Sequence, residues 1–334
     1  MRQAILLLLL PLATPASYAV KTLTLPGGGE AGIGMDVMAY DPHTRFLWAP
    51  AGNTGAVDVV DTPTGKVTQV SGFATKEVEA RNGKRIVGPS AATVGDGVVY
   101  IGNRGDSTVC AVDARTLTKG ACGSLDASPD LLAYVAPTRE VWVTTPRDHS
   151  IRVLDAVTLA QKAKLTFDGQ PEALAVDAKR GRVYSNLEDK DRTLAIAINT
   201  HETAATWNPA CGEGGPHGLS LDEPAGILFI ACDAAAKAMD VGHDGKVLSS
   251  IAAGDGVDDL VYAPATHLLY VGSAKAGTLT IARANGAGVL SLEATVPTRA
   301  GARNAVVTES GTVYLAHGGG VKSSDLVVVA PPAK

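Results

Sequence analysis

Aromatic residues make up only 4% of the 334-residue chain, and apolar residues nowhere keep a helical spacing for more than a few places, which argues against helical architectures. Long uncharged apolar runs are missing apart from Ile5 to Leu12, which is about half the ~20 residues of a membrane-spanning helix. The four cysteines show no CxxC or Cys/His spacing, which argues against a Cys-held zinc. Basic residues are not in excess, at 29 against 34 acidic ones, so a phosphate-binding face driven by counterion release is disfavoured and nucleic acid is not an expected partner. There is no GxSxG elbow, no Walker loop, no GxGxxG between a strand and a helix, and no HExxH. These gaps speak against the common hydrolases and nucleotide enzymes.

The chain does carry MRQAILLLLLPLATPASYA at its start, with Arg2 as a charged n-region, Ile5 to Leu12 as an apolar h-region and Ser17-Tyr18-Ala19 as a small-residue cleavage site. Residues 1–19 read as a secretory signal cut after Ala19, and residues 20–334 as the exported domain, periplasmic or secreted. No cysteine follows the cut to carry lipid. Without Arg2 the basic count falls to 28 against 34 acids, a net charge of −6. In an exported chain the cysteines are expected to pair. Cys110 and Cys122 flank the turn segment DARTLTKG, and Cys211 and Cys232 form the second pair. A free buried thiol is the alternative for each.

Glycine is abundant, at 37 residues, and with the Val, Leu and Ala content it suits many short strands and tight turns, so the chain reads as all-β. A strand with an aromatic core recurs seven times, at Trp48, Tyr100, Trp142, Tyr184, Phe229, Tyr270 and Tyr314, with spacings of 52, 42, 42, 45, 41 and 44 residues. An apolar alternation and a polar turn precede each aromatic. In three units a third strand ends in aspartate about thirteen residues later, at Asp61, Asp113 and Asp155, and turns such as TPTGK lead to a fourth. Four antiparallel strands repeated seven times describe a seven-bladed β-propeller. The seventh unit stops after DLVVVA (325–330), while KTLTLPG (21–27) is a strand with no unit of its own. Pairing the two closes the ring and covers its edges.

Tyr100-Ile101-Gly102-Asn103 resembles the Tyr-Val-Thr-Asn signature of the YVTN family of β-propellers, and Gly215-Pro216-His217-Gly218 resembles the Pro-His-Gly opening of inner strands in those repeats. The resemblance spans essentially the whole chain after the leader and is closest to the periplasmic YncE-like branch. Only unit two keeps the final asparagine. The resemblance implies the fold rather than an activity; members are largely described as binding or uncharacterised proteins, with nucleic-acid binding suggested for some.

Aligning the seven inner-strand entrances puts Asp36, Ser90, Asp130, Glu172, His217, Asp258 and Arg303 in one column. In a propeller these entrances gather around the mouth of the central channel, the kind of loop cluster where function usually sits. The column is a polar ring, and the columns after it are mostly apolar. Asp36, Asp130, Glu172, His217 and Asp258 suit a cation, either calcium through oxygen ligands or an organic ammonium. Crowding among the carboxylates favours raising the pKa of one of them. A plain water-filled channel would carry the same polar ring.

The one long spacing holds an insertion, TKEVEARNGKRIVGP, whose Asn82-Gly83 between alternating charged flanks predicts a type I′ hairpin over about 75–88. It is expected to project from the mouth face as a lid or a partner-docking finger. LEDKDR (187–192) and NRGDST (103–108) are expected as polar loops on the same face, and the RGD triplet is too short to claim cell-adhesion recognition. His317 is expected to lean over the mouth, while His43, His149, His201, His243 and His267 are read as surface. The combined reading is a monomeric, non-catalytic binding propeller for a small ligand, a cation or an envelope protein. The alternatives are a propeller enzyme, lactonase-like and metal-dependent or quinoprotein-like, and an envelope scaffold.

Overall fold

The structure, a computed structural model, describes residues 17–80, 83–318 and 321–332. Most of the segment expected to be a secretory signal, the residues Arg81 and Asn82 of the expected hairpin turn, Gly319-Gly320 and Ala333-Lys334 therefore lie outside the described residues. Within them there are seven four-stranded antiparallel sheets, one separate two-stranded sheet and no α-helix. The sheets are the seven blades expected from the repeat. Blade two is representative, with Pro89–Gly95 innermost, then Val98–Asn103, Thr108–Asp113 and Lys119–Ser124.

The recurring aromatics explain how the blades stack. Each sits on a second strand, where period-2 alternation puts both faces of the strand against neighbouring blades. Trp48, Trp142, Tyr184, Phe229 and Tyr270 are among the largest fully buried side chains. Seven apolar clusters, each drawn from two adjacent blades, make up the core; one joins Trp48 and Val59 of blade one to Ile101 and Val112 of blade two. The aspartates ending third strands are explained by the turns that follow. Asp113 accepts the Arg115 and Thr116 N–H groups, and Asp155 those of Val157 and Thr158, at 2.7–3.0 Å, the side-chain turn that Asp favours.

Closure of the ring is as the chain ends suggested. Ala19–Thr24 pairs antiparallel with Asp325–Ala330, from Ala19 opposite Ala330 to Thr24 opposite Asp325. It is the outer strand of the blade completed by Ala302–Val307 and Val313–His317. The strand begins two residues before the expected Lys21. Joining first and last strands replaces an exposed edge by a six-residue ladder and ties the ends of the ring together.

Both disulfides form. Cys110 and Cys122 are directly opposite across the third and fourth strands of blade two, with Cα atoms 4.0 Å apart. Cys211 pins the segment entering blade five to Cys232, which ends that blade's second strand, at a Cα separation of 5.3 Å. Two disulfides fit an oxidising compartment. Among the described residues no helix is long and apolar enough to cross a membrane.

Candidate functional site at the channel mouth

The inner-strand entrances lie side by side, which is what places the polar column in a ring. The Val37 N–H donates to the Ser90 carbonyl at 3.0 Å, and the Ala92 N–H to the Val37 carbonyl, linking the entrances of blades one and two. The expected residues then fall into distinct groups.

Asp36, Asp130, Asp258 and Arg303 come together, but through a residue absent from the column. Arg104, which follows the second strand of blade two, donates to Asp36 at 2.8 Å and also binds Asp130. Arg303 binds Asp258 at 3.0 Å and stands 3.7 Å from Asp36. The two guanidiniums thus staple carboxylates from blades one, three and six. Burial alone would lower the Arg104 pKa; the Asp36 and Asp130 carboxylates outweigh it and hold the guanidinium above its ordinary value. Both contacts come from one nitrogen, Nη2, whose two N–H groups serve two acceptors at once.

Glu172 joins this group, since its carboxyl lies near that of Asp130 and the two shift each other. Enclosure pushes the Glu172 carboxyl well above the usual range, with Asp130, Glu188, Asp258 and Asp36 adding like-charge repulsion. Asp130 is also raised, by burial and by Asp36 against the pull of Arg104. Burial and like charge thus shift both neighbouring carboxyls in the same direction, toward the protonated form.

His217 has a different partner. Its Nδ1 lies 3.7 Å from Glu188 on the 187–192 loop, and its carbonyl accepts the Asn186 Nδ2 at 2.6 Å. The Glu188 contact raises the imidazole pKa against the opposing effect of burial. Ser90 is buried, 5% exposed, and its Oγ has no hydrogen-bond partner among the described residues.

The expected calcium-type set does not gather. Among the described residues no three His, Cys, Asp or Glu side chains are arranged to hold a metal, because the ring's carboxylates face arginines, one another or a histidine. The acidic ring is correspondingly less acidic than the column implied.

Several other expectations change. His317 does not lean over the mouth; it is buried in blade seven, with Nδ1 bonded to Asp325 and Ser323 and Nε2 to the Ala300 carbonyl. His201 is not a surface residue: it bonds Glu140 at 3.2 Å and meets the Trp142 ring edge-on. The RGD triplet is spent internally. Arg104 turns into the mouth, Gly105 packs against the Ala74 carbonyl, and Asp106 bonds Asn103 and Thr108. In the LEDKDR loop, Asp191 accepts the N–H groups of Cys211 and Gly212.

The predicted hairpin is present as Lys76–Ala80 paired with Gly83–Val87. It stands over blades one and two and walls a cavity of about 690 Å³. Asp36, Ser90, Arg104 and Arg303 line this cavity from the ring, and Glu77, Lys84 and Arg85 line it from the hairpin. Asp130, Glu172, His217 and Asp258 lie outside it.

Sequence reasoning missed three functional candidates: Arg104, Glu188 and Asp259. The first two sit in loops already assigned to the mouth face, so loop placement was the available signal. Asp259 is the charged member of a fourth column that otherwise reads Val37, Ala91, Leu131, Ala173, Gly218 and Asn304.

No protein-family model matches the chain, and no curated protein matches it in sequence. Solved structures do resemble it. A chain of the mitotic checkpoint complex superposes with a TM-score of 0.74 at 12% identity, over 100% of this chain and 99% of that one. A streptogramin B lyase gives 0.73 at 10% identity, over 94% and 98%. A virginiamycin B lyase from Staphylococcus aureus gives 0.71 at 9% identity, over 94% and 99%. At such identities the likeness is one of fold, which by itself carries no activity.

Proposed function

We propose that the protein is an exported, monomeric, non-catalytic propeller of the YVTN type that binds a small polar ligand between the channel mouth and the hairpin. The observation that carries this reading is the cavity of about 690 Å³ in which Asp36, Ser90, Arg104 and Arg303 meet Glu77, Lys84 and Arg85. Small-ligand sites span roughly 300–1,000 Å³ and combine an apolar wall with a few convergent polar groups. Ile33, Met35 and Ile86 supply the apolar part. Both signs of charge line the space, which suits a ligand carrying both, with an organic ammonium as the cationic alternative.

The test is thermal melting in calcium, choline, citrate and glycine betaine, together with metal analysis of protein purified without chelator. A ligand at 100 times its Kd adds about 2.7 kcal/mol to stability. The reading expects at least one solute to raise the melting temperature, and a protein lacking residues 76–87 to lose that response. No response from any solute, or the same response without the hairpin, would overturn it.

One observation favours an enzyme at the same ring: burial and like charge push the Glu172 carboxyl beside Asp130 upward, the direction that suits a general acid. Turnover of lactone or quinone-linked substrates that is lost in Glu172→Gln and kept without the hairpin would select that reading. An envelope scaffold would instead show partners in a pull-down that depend on the hairpin.

A further inference from the structure

Below the ring the channel changes character. A cavity of about 620 Å³ runs from the fourth column to the opposite face, where the turns at Pro42, Pro264 and Gly311 rim it. Its wall comes from the inner strands of the blades, including Val37, Leu131, Leu174, Leu219, Val261 and Val306. At its upper end stands Asp259. We propose that this channel is a second binding site, entered from the face away from the mouth, that takes an amphiphilic primary amine with its alkyl body against the inner strands and its ammonium on Asp259.

Three observations carry the assignment. The inner-strand part of the wall is mostly aliphatic, with Tyr40, Thr308 and Glu309 among the polar lining residues, so water against it leaves apolar surface unburied, and an alkyl body removes that cost. Asp259 accepts the Leu260 N–H at 2.8 Å, while the nearby Arg303 is engaged with Asp258 at 3.0 Å and Asp36 at 3.7 Å. An ammonium donates to the Asp259 carboxylate oxygen that the Leu260 N–H leaves free. Finally, Gly218 of blade five occupies the neighbouring place in the column, and its missing side chain leaves the space into which the Asp259 carboxyl fits.

Enclosure pushes the Asp259 carboxyl up to about 7, partly offset by the Leu260 N–H and reinforced by Asp258 and Asp36. A carboxylate desolvated in this way gains most from a counter-charge brought to it. A free metal ion would find no such fit, since no three ligating side chains converge there among the described residues, and a fatty acid would place a second carboxylate beside the first.

Isothermal titration at pH 8 with hexylamine, octylamine, octanol and octanoate tests the assignment on the full chain. Octylamine is expected to bind about tenfold more tightly than hexylamine, from two added methylene groups, and at least tenfold more tightly than octanol or octanoate. Asp259→Asn is expected to lose that preference over octanol while keeping the dependence on chain length. Leu174→Trp, which fills the lumen from blade four, is expected to weaken every probe. Absence of octylamine binding, octanoate binding as tightly, or an Asp259→Asn protein with a cooperative melt and undiminished octylamine affinity would each overturn the proposal. Should Asp259→Asn fail to fold, the four probes on the native chain still decide. The outcome is separable from that of the mouth cavity, because removing residues 76–87 opens the mouth and leaves the lumen intact.

Discussion

Gly218 and Asp259 share a space that admits one side chain: a β-carbon on residue 218 would lie 2.5 Å from the Asp259 Cα and closer still to its Oδ1. The two residues come from the inner strands of adjacent blades, Pro216–Asp222 and Val257–Ala263. The glycine after His217 is therefore required by close approach between blades. Gly218→Ala is expected to cost about 1–3 kcal/mol, the usual range for overpacking, measured by urea denaturation. Asp259→Ala in the same chain should recover only part of the loss, because the new methyl group still meets the backbone of the facing strand.

Arg104 holds two blades together through Asp36 and Asp130. Its removal leaves two partly buried carboxylates facing each other. Arg104→Met is expected to destabilise the protein by about 2–3 kcal/mol, less than the loss for a fully buried pair because the side chain is 22% exposed. Arg104→Lys should recover part of the loss, since both carboxylates are met by the single nitrogen Nη2 and an ammonium on a shorter stem also carries several donors on one nitrogen. Denaturation midpoints of the two variants at equal salt check this.

The raised carboxyls give a signed pH dependence. Asp259 is pushed up to about 7 and Asp58 to about 6, both mainly by burial and both from an ordinary 3.8. Between about pH 4 and 7 the folded chain keeps protons that the unfolded chain releases, so these groups make stability fall as pH rises. His217, raised by Glu188, acts in the same direction, because its stabilising charge is lost at higher pH. The expected result is a lower melting temperature at pH 8 than at pH 5.5. Asp259→Asn should flatten that slope and be more stable than the native chain at pH 8, on the order of 2–4 kcal/mol.

The two disulfides close chain separations of 12 and 21 residues. Loop-closure entropy assigns each about 3 kcal/mol. The Cys211–Cys232 bridge has a second duty, because the Cys211 N–H also donates to Asp191. Replacing both of its cysteines by serine is expected to lower the melting temperature and to speed proteolysis of the 208–215 segment. Replacing Cys110 and Cys122 should lower the melting temperature without exposing that segment. Limited proteolysis with mass mapping separates the two.

The hairpin pairs only with itself, in a sheet separate from the seven blades. Replacing residues 76–87 by a short glycine-containing turn is expected to leave cooperative unfolding in place and to shift the midpoint by less than about 1 kcal/mol, as for surface changes generally. Loss of cooperative folding would mean that the hairpin is part of the ring's stability.

The sequence alone determined the blade count, the closing strand, the disulfide partners and the column of ring residues. All of these follow from chain order: a buried second strand must repeat its aromatic at each blade, and a ring built from repeats needs its first and last strands to meet. Tertiary structure decided how the ring's charge is used. Arg104 reaches Asp36 across 68 residues of sequence and Asp130 across 26, and it arrives from a second-strand loop that column alignment does not compare with inner-strand entrances. His217 illustrates both halves. Its place on the ring could be read from its six sister segments, while its partner, Glu188, belongs to the loop of another blade. Asp259 stayed hidden for the same reason: its chemistry comes from the apolar channel and the empty place at Gly218, and both are made by neighbouring blades.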